Sequence, residues 1–443
     1  MRAAILHAPL LAPLLALVSA AACVKGNPID NGGFVGDGGT FHVAECGYDV
    51  TTRIGAEAPH PGIAQFGPDA TPRLVHLGII GDPRTSVVAQ WRTADERTRA
   101  SEIRFAKGAD LAESELTEMR TGLEFAYDTT GAIPIRMHQA HLCGREPGTA
   151  YSYQVGGTDE LGATKFSPVY TFRTAPDVVA HPDAEVVLGF VGDSRGGYDV
   201  WNLLIHQLEQ RSPDLILFSG DAVTIGLTQF EWEEFFGRAE PLFARVPLVA
   251  AHGNHEVNSV NFYSQIAMPG DQETFGLDYG FVHVTVANDT PDDIGKLAGK
   301  FHDQIDADLT AHDSARWKLF MSHQPMFSAS TSHGSSVTLQ TAWLPLIDEH
   351  HVDLVLNGHD HDYEVSLPMI NKQVQPTSDG ATVFVVAGGA GAELYDNGFE
   401  YWTQYSEKTY SAAILHVRRD QLTLEAFRQD GTPIPQGFSK TKP

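Results

Sequence analysis

Between residues 186 and 361 the chain repeats one pattern five times: a short, mainly apolar run, a small residue, and then a side chain that can ligate a metal. The runs cover residues 186–191, 215–218, 247–251, 319–321 and 352–356. Each is short enough, and β-branched or aromatic enough, to be a buried strand. Behind them stand Gly192-Asp193, Ser219-Gly220-Asp221, His252-Gly253-Asn254-His255, Ser322-His323 and Asn357-Gly358-His359-Asp360-His361. Residues 201–208, 230–243 and 339–347 repeat their apolar positions at helical spacing and fall between the runs, the βαβ rhythm of an α/β domain. In open α/β sheets ligands bind beyond the carboxyl ends of the strands, so five strands would bring Asp193, Asp221, Asn254, His323 and the His359/His361 pair to one rim. Residues i and i+2 of an extended chain share a face, which lets His359 and His361 reach one object. Residues 281–287, 381–387, 412–417 and 422–427 read as later, antiparallel strands, making the sheets of this domain mixed.

Upstream the period changes. From Pro72 to Thr174 short alternating segments at 73–77, 86–91, 103–105, 137–142, 151–155 and 170–173 are divided by turns such as Gly81-Asp82-Pro83 and Glu146-Pro147-Gly148. Regularly spaced short strands predict an antiparallel β-sandwich with Trp91 and Tyr153 in its core. Asp82 follows a glycine as the other aspartates do, but Pro83 places it in a turn, so it is left out of the site. Residues 175–184 hold two prolines and little pattern and read as a linker. Residues 23–71 are rich in glycine and polar residues and read as a flexible tether with an irregular segment.

The chain has 443 residues, 42% of them hydrophobic, enough for two domains with cores of their own. A net charge of −26 argues against a nucleic-acid groove or a basic membrane-facing surface. An anionic substrate must then be drawn by local positive charge, which bound metal ions supply. Residues 1–22 read as an export signal: Arg2 opens it, an apolar stretch follows, and Ser19 to Ala22 are small. Cys23 is then either the lipidated first residue of a surface lipoprotein or absent from a secreted or periplasmic chain. No later segment is apolar and long enough to span a bilayer. Cys46 and Cys143 remain as one disulfide pair in an oxidising compartment.

The ligands add up to two metal sites. Asp193, Asp221 and His361 serve one; Asp221, Asn254, His323 and His359 the other, with Asp221 shared. A carboxylate bridging two cations allows a spacing of ~3.5–4 Å, and a hydroxide between the ions becomes the nucleophile. Phosphate esters suit such a centre because charge builds on the phosphoryl oxygens in the transition state. Carboxylates with imidazoles suit zinc, iron or manganese.

The blocks GDSR at Gly192, GDAV at Gly220, GNHE at Gly253, SHQP at Ser322 and GHDH at Gly358 resemble the calcineurin-like metallophosphoesterases, and the two-domain layout resembles the purple acid phosphatases. The likeness runs from about residue 72 to 436 and implies a fibronectin III-like sandwich at 72–174 before a metallophosphoesterase domain at 185–443. It further implies that His255 contacts the substrate phosphate and protonates the leaving oxygen, and that His333, ten residues after His323, also faces the substrate. Two positions depart from the pattern. Purple acid phosphatases carry an iron(III)-binding tyrosine three residues after the second aspartate, where this chain has Thr224. Many relatives place a metal-binding histidine two residues after the first aspartate, where it has Arg195, a guanidinium that stays protonated and cannot ligate. The first cation therefore has the thinner protein shell. Arg195 either binds a phosphate oxygen bidentately or pairs with a nearby carboxylate.

The function so implied is hydrolysis of phosphate monoesters on a small-molecule substrate. Two rivals stand beside it: a phosphodiesterase or nucleotide-cleaving enzyme on the same centre, and a surface-attached binding module whose metal is structural.

Overall fold

The structure, a computed structural model, describes residues 39–52, 69–94, 101–127, 135–158 and 162–443. The segment read as an export signal at 1–22, Cys23 and most of the segment read as a tether lie outside the described residues.

Two antiparallel sheets form the N-terminal part. One runs Arg73–Gly78, Val87–Thr93, Ile135–Leu142, Leu123–Tyr127; the other runs Thr164–Phe166, Ala150–Thr158, Glu102–Lys107, Glu118–Thr121, with Tyr170–Arg173 also paired to Ala150–Thr158. Val75, Leu77, Trp91, Ile103, Phe105, Tyr153 and Phe172 meet between them in one buried cluster. Arg73–Gly78 and Val87–Thr93 are buried on both faces, which alternation alone does not foretell. Their outer face lies against the helix Gln229–Phe243 and its neighbours: His76 stacks on Phe236, Leu74 N–H donates to Glu240 at 3.0 Å, Gln90 donates to the Ser264 carbonyl at 3.0 Å, and Arg92 pairs with Glu233 at 2.7 Å. The sandwich is thus docked on the catalytic side by buried polar contacts, which lose most if left unpaired.

Part of the segment read as a tether is ordered. Gly39–Val43 and Tyr48–Thr52 pair as a hairpin, and Cys46 in its turn is disulfide-bonded to Cys143 across 97 residues. A cross-link over a loop of that length restricts the unfolded chain strongly. Cys143→Ser is expected to lower the stability of the N-terminal domain by about 2–4 kcal/mol, read as a lower denaturant midpoint.

In the C-terminal domain the ligand-bearing strands divide between two sheets rather than lining one. Leu248–Ala250, Leu215–Phe218 and Val186–Val191 are parallel, and Ser411–Val417, Gln421–Arg428 and Phe438–Thr441 continue that sheet antiparallel. The second sheet runs Thr274–Tyr279, Val282–Ala287, Trp317–Met321, Leu354–Asn357, Val383–Ala387, Tyr363–Ser366, Thr403–Glu407. Val282–Ala287 and Val383–Ala387, expected to be antiparallel, pair in parallel with Trp317–Met321 and Leu354–Asn357 and antiparallel with their other neighbours. Val383–Ala387 is an unbroken apolar run because both of its faces are covered. Leu319, Met321, Leu354 and Leu356 face the core between the sheets, whereas Phe320 and Val355 face an outer core with Phe301, Ile305 and Trp343 from the flanking helices.

Candidate metal centre

The carboxyl ends of the parallel strands in both sheets meet at one edge, and each hands its next residues to the same point. The turn after each strand is tight. Asp193, Asp221 and His359 hold positive φ values of 63°, 58° and 68°. Such conformations are uncommon outside glycine and concentrate at functional sites. The motif glycines are dictated by crowding: a Cβ on Gly253 would stand 2.3 Å from Asp221 Oδ1, and one on Gly358 2.2 Å from Asp193 Oδ2.

Six side chains converge there. Asp193, Asp221, His323 and His361 are fully buried, and Asn254 and His359 are half-buried. His323 Nε2 lies 3.3 Å from Asp221 Oδ1, 3.0 Å from Asn254 Oδ1 and 3.1 Å from His359 Nδ1. His361 Nε2 lies 3.7 Å from Asp193 Oδ1. Asp193 is steadied by the His359 N–H, which donates to both of its oxygens at 3.0 and 3.1 Å.

The hydrogen bonds behind the rings set which nitrogen faces inward. His323 Nδ1 donates to the Ser219 carbonyl at 2.8 Å, and His361 Nδ1 donates to the Glu393 carbonyl at 2.7 Å. A carbonyl only accepts, so each ring carries its proton outside and turns the Nε2 lone pair inward, as metal-ligating histidines do. Two of the neighbours of His323 Nε2, Asp221 Oδ1 and Asn254 Oδ1, are oxygens that only accept, an arrangement that suits a cation. Burial pulls the His323 ring down, but Asp221, Asp193 and Asp289 outweigh that and raise it well above its ordinary range. Burial drives Asp193 up, despite the opposing pull of His323. The donor set of carboxylates, imidazoles and one amide oxygen fits a pair of cations such as zinc, iron or manganese.

Family models match here in two blocks: the calcineurin-like phosphoesterase at residues 186–363 and the purple acid phosphatase N-terminal domain at 72–174. Residues 186–363 are thus similar to the calcineurin-like phosphoesterases. The matches support a phosphoric ester hydrolase, and the family implies a dinuclear metal site. It is 24% identical over 354 residues to purple acid phosphatase 21 of Arabidopsis thaliana, covering 75% of each chain. It is 26% identical to acid phosphatase type 7 of Mus musculus, over 81% of this chain and 88% of that one. Its fold is similar to purple acid phosphatase PPD1 from yellow lupin seeds, with a TM-score of 0.73 at 16% identity, covering 84% of this chain and 74% of the other.

In this phosphoesterase His255, His333 and Arg195 stand around the ligands. His255 Nδ1 donates to the Thr224 carbonyl at 2.6 Å, which leaves Nε2 3.8 Å from Asp221 Oδ2 at the open side of the site. Thr224 thus supplies its main chain to the site. His333 is exposed at the rim, its ring centroid 4.3 Å from that of His359. Arg195 Nε reaches Asp221 Oδ2 at 3.3 Å, and its Nη2 lies 3.3 Å from His361 Nε2. The guanidinium therefore pairs with a carboxylate of the centre itself.

Two neighbours were not read from the sequence. Glu256, fully buried, accepts the N–H groups of Asp221 at 2.9 Å, Ala222 at 2.8 Å and Gly253 at 2.8 Å, tying two ligand loops together. Burial and the neighbouring Asp221 charge push its carboxyl up to about 7. Its signal was its place inside GNHE. Tyr395 stacks on His361 with centroids 4.0 Å apart and meets His333 edge-on at 5.3 Å. It arrives on the loop after Val383–Ala387, where Gly388 to Gly391 packs under Asp193: Ala390 N–H donates to the Gly192 carbonyl and Ala392 N–H to the Asp193 carbonyl, both at 3.0 Å. This is a sixth apolar run followed by glycine, but with no metal-ligating residue directly behind it.

Proposed function

We propose that the chain is a phosphate monoesterase in which Asp193, Asp221 and His361 hold one cation and Asp221, Asn254, His323 and His359 hold the other. The observation that carries this is Asp221: its Oδ1 faces His323 while its Oδ2 faces Arg195 and His255, so the two oxygens serve opposite halves of the site. Bound there, a pair of cations supplies activation of water near neutral pH and neutralises the charge that builds on the phosphoryl oxygens.

The protein's own residues do the rest. His255 is pinned by its Nδ1–H bond to Thr224, so its Nε2 has one orientation. As the imidazolium, with Asp221 close by, it delivers the Nε2 proton to the leaving oxygen as the P–O bond breaks. Arg195, beside His361, and His333, beside His359 and Tyr395, would take phosphate oxygens, the guanidinium leaving Asp221 as it does so. The open rim leaves room for the ester group.

The same reading takes residues 72–174 as a fibronectin III-like domain and 185–443 as the catalytic domain, joined at 175–184. It also takes the chain as exported, with Cys23 lipidated or lost with the signal. Among the described residues no helix is long and apolar enough to cross a membrane.

An aryl phosphate monoester should be turned over at least about tenfold better, in kcat/KM, than its aryl diester, since a second ester group gives up an anionic oxygen that the centre is built to hold. Preference for the diester would make the enzyme a phosphodiesterase instead. Thr224 in the tyrosine position also predicts no tyrosinate band in the visible spectrum, whichever metal is present.

A further inference from the structure

We propose that Asp278, His283 and His312 form a separate metal site, outside the catalytic centre, for a divalent transition ion of the zinc class. Among the described residues, two groups bring three ligating atoms within 4.8 Å of one another: the one around Asp221, and this one. Asp278 and His283 face each other across the hairpin of Thr274–Tyr279 and Val282–Ala287, with Oδ1 and Nδ1 2.8 Å apart. His312 caps the C-terminal end of the helix Lys300–Ala311 and brings Nε2 to 3.8 Å from Asp278 Oδ2. These separations bracket the 3.0–3.3 Å seen around His323 Nε2 in the catalytic centre.

One residue aims both rings. The Asp308 carboxylate accepts the His283 Nε2 proton at 3.0 Å and the Thr285 hydroxyl at 2.7 Å, while the Asp308 main-chain carbonyl accepts from His312 Nδ1 at 2.7 Å. Each imidazole therefore has its far nitrogen held as a donor and its near nitrogen turned to Asp278, the support that metal-binding histidines receive from carboxylates and carbonyls. Gly276 makes the close approach of Asp308 possible, since a Cβ there would stand 2.1 Å from Asp308 Oδ1.

Two imidazoles and one carboxylate suit zinc and its neighbours, and the remaining position is open to water. His283 is buried to 1% exposure, whereas the Asp278 side chain is 66% exposed and gives the ion its way in. The rings stack with centroids 3.7 Å apart and planes 13° apart, so the half-exposed His312 must tilt to point its lone pair at the ion. The ion takes the place of the proton between His283 Nδ1 and Asp278, which leaves to solvent. A site of this kind staples the edge hairpin of the larger sheet to its covering helix; its role is stability, not turnover.

The test is metal content. Full-length protein with its catalytic centre loaded is dialysed to equilibrium against micromolar zinc, and metal per chain is compared with Asp278→Asn and His312→Ala. Wild type should hold one more equivalent than either variant and gain a zinc-dependent rise in Tm that both lack, with kcat on an aryl phosphate unchanged. Asp278→Asn, at a mostly exposed position, decides the matter alone should His312→Ala fold poorly. Equal zinc content in wild type and Asp278→Asn would overturn the site and leave a hydrogen-bonded square of two imidazoles and two carboxylates. The readout does not depend on which ester is cleaved, so it stands apart from the monoesterase reading.

Discussion

Asp221→Asn lowers kcat/KM for phosphate release by about 10³-fold or more and strips the centre of metal. The side chain is 1% exposed and has no spare contacts: Oδ1 accepts the His255 N–H at 3.0 Å and faces His323, and Oδ2 faces Arg195 and His255. An amide keeps the volume but loses the charge, and it turns an N–H₂ group toward either the His255 N–H or the Arg195 guanidinium, both of which donate to Asp221. Loss of activity with the melting temperature held within a few degrees, and with metal content reduced, is the expected signature. Full metal content with normal turnover would remove Asp221 from the mechanism.

His255→Ala produces the second large loss, about 10²–10⁴-fold, and spreads it unevenly across substrates. Alkyl phosphates, whose leaving oxygens need a proton, lose most; nitrophenyl phosphates, whose leaving groups depart as anions, lose least. Metal content should not change, because the ring's nearer nitrogen is 3.8 Å from Asp221 and its other nitrogen is tied to the Thr224 carbonyl. A loss of equal size on both substrate classes would assign His255 to binding the phosphate instead of protonating the leaving group.

Much of this site can be read from the sequence because tight, strand-terminal motifs are local. A buried strand must be apolar, a small residue must follow where a neighbouring group packs against the backbone, and the ligand must come next. These demands fall on adjacent residues, so Asp193, Asp221, His323 and the His359/His361 pair are visible as text. What cannot be read there is the non-local part. Whether Val383–Ala387 lies parallel or antiparallel depends on the path between strands and not on its residues, and so the loop that brings Tyr395 onto His361 was hidden. The division of the ligand strands between two sheets is hidden for the same reason, since burial on both faces looks alike in one sheet or two. Arg73–Gly78 shows the converse: its outer face is covered by another domain, and no pattern within the segment announces that. The Asp278, His283 and His312 group is assembled from a hairpin and a distant helix end, with no motif at all.

Hydrolysis here depends on two cations held around Asp221, a requirement open to metal titration. The Asp278→Asn protein, in which only the catalytic centre should bind, is stripped with a chelator and titrated with zinc or manganese while aryl phosphate turnover and far-UV circular dichroism are followed. The prediction is a folded apo-protein with no turnover, and activity that rises until two equivalents per chain are bound. Turnover that persists without metal, or is complete at one equivalent, would contradict it.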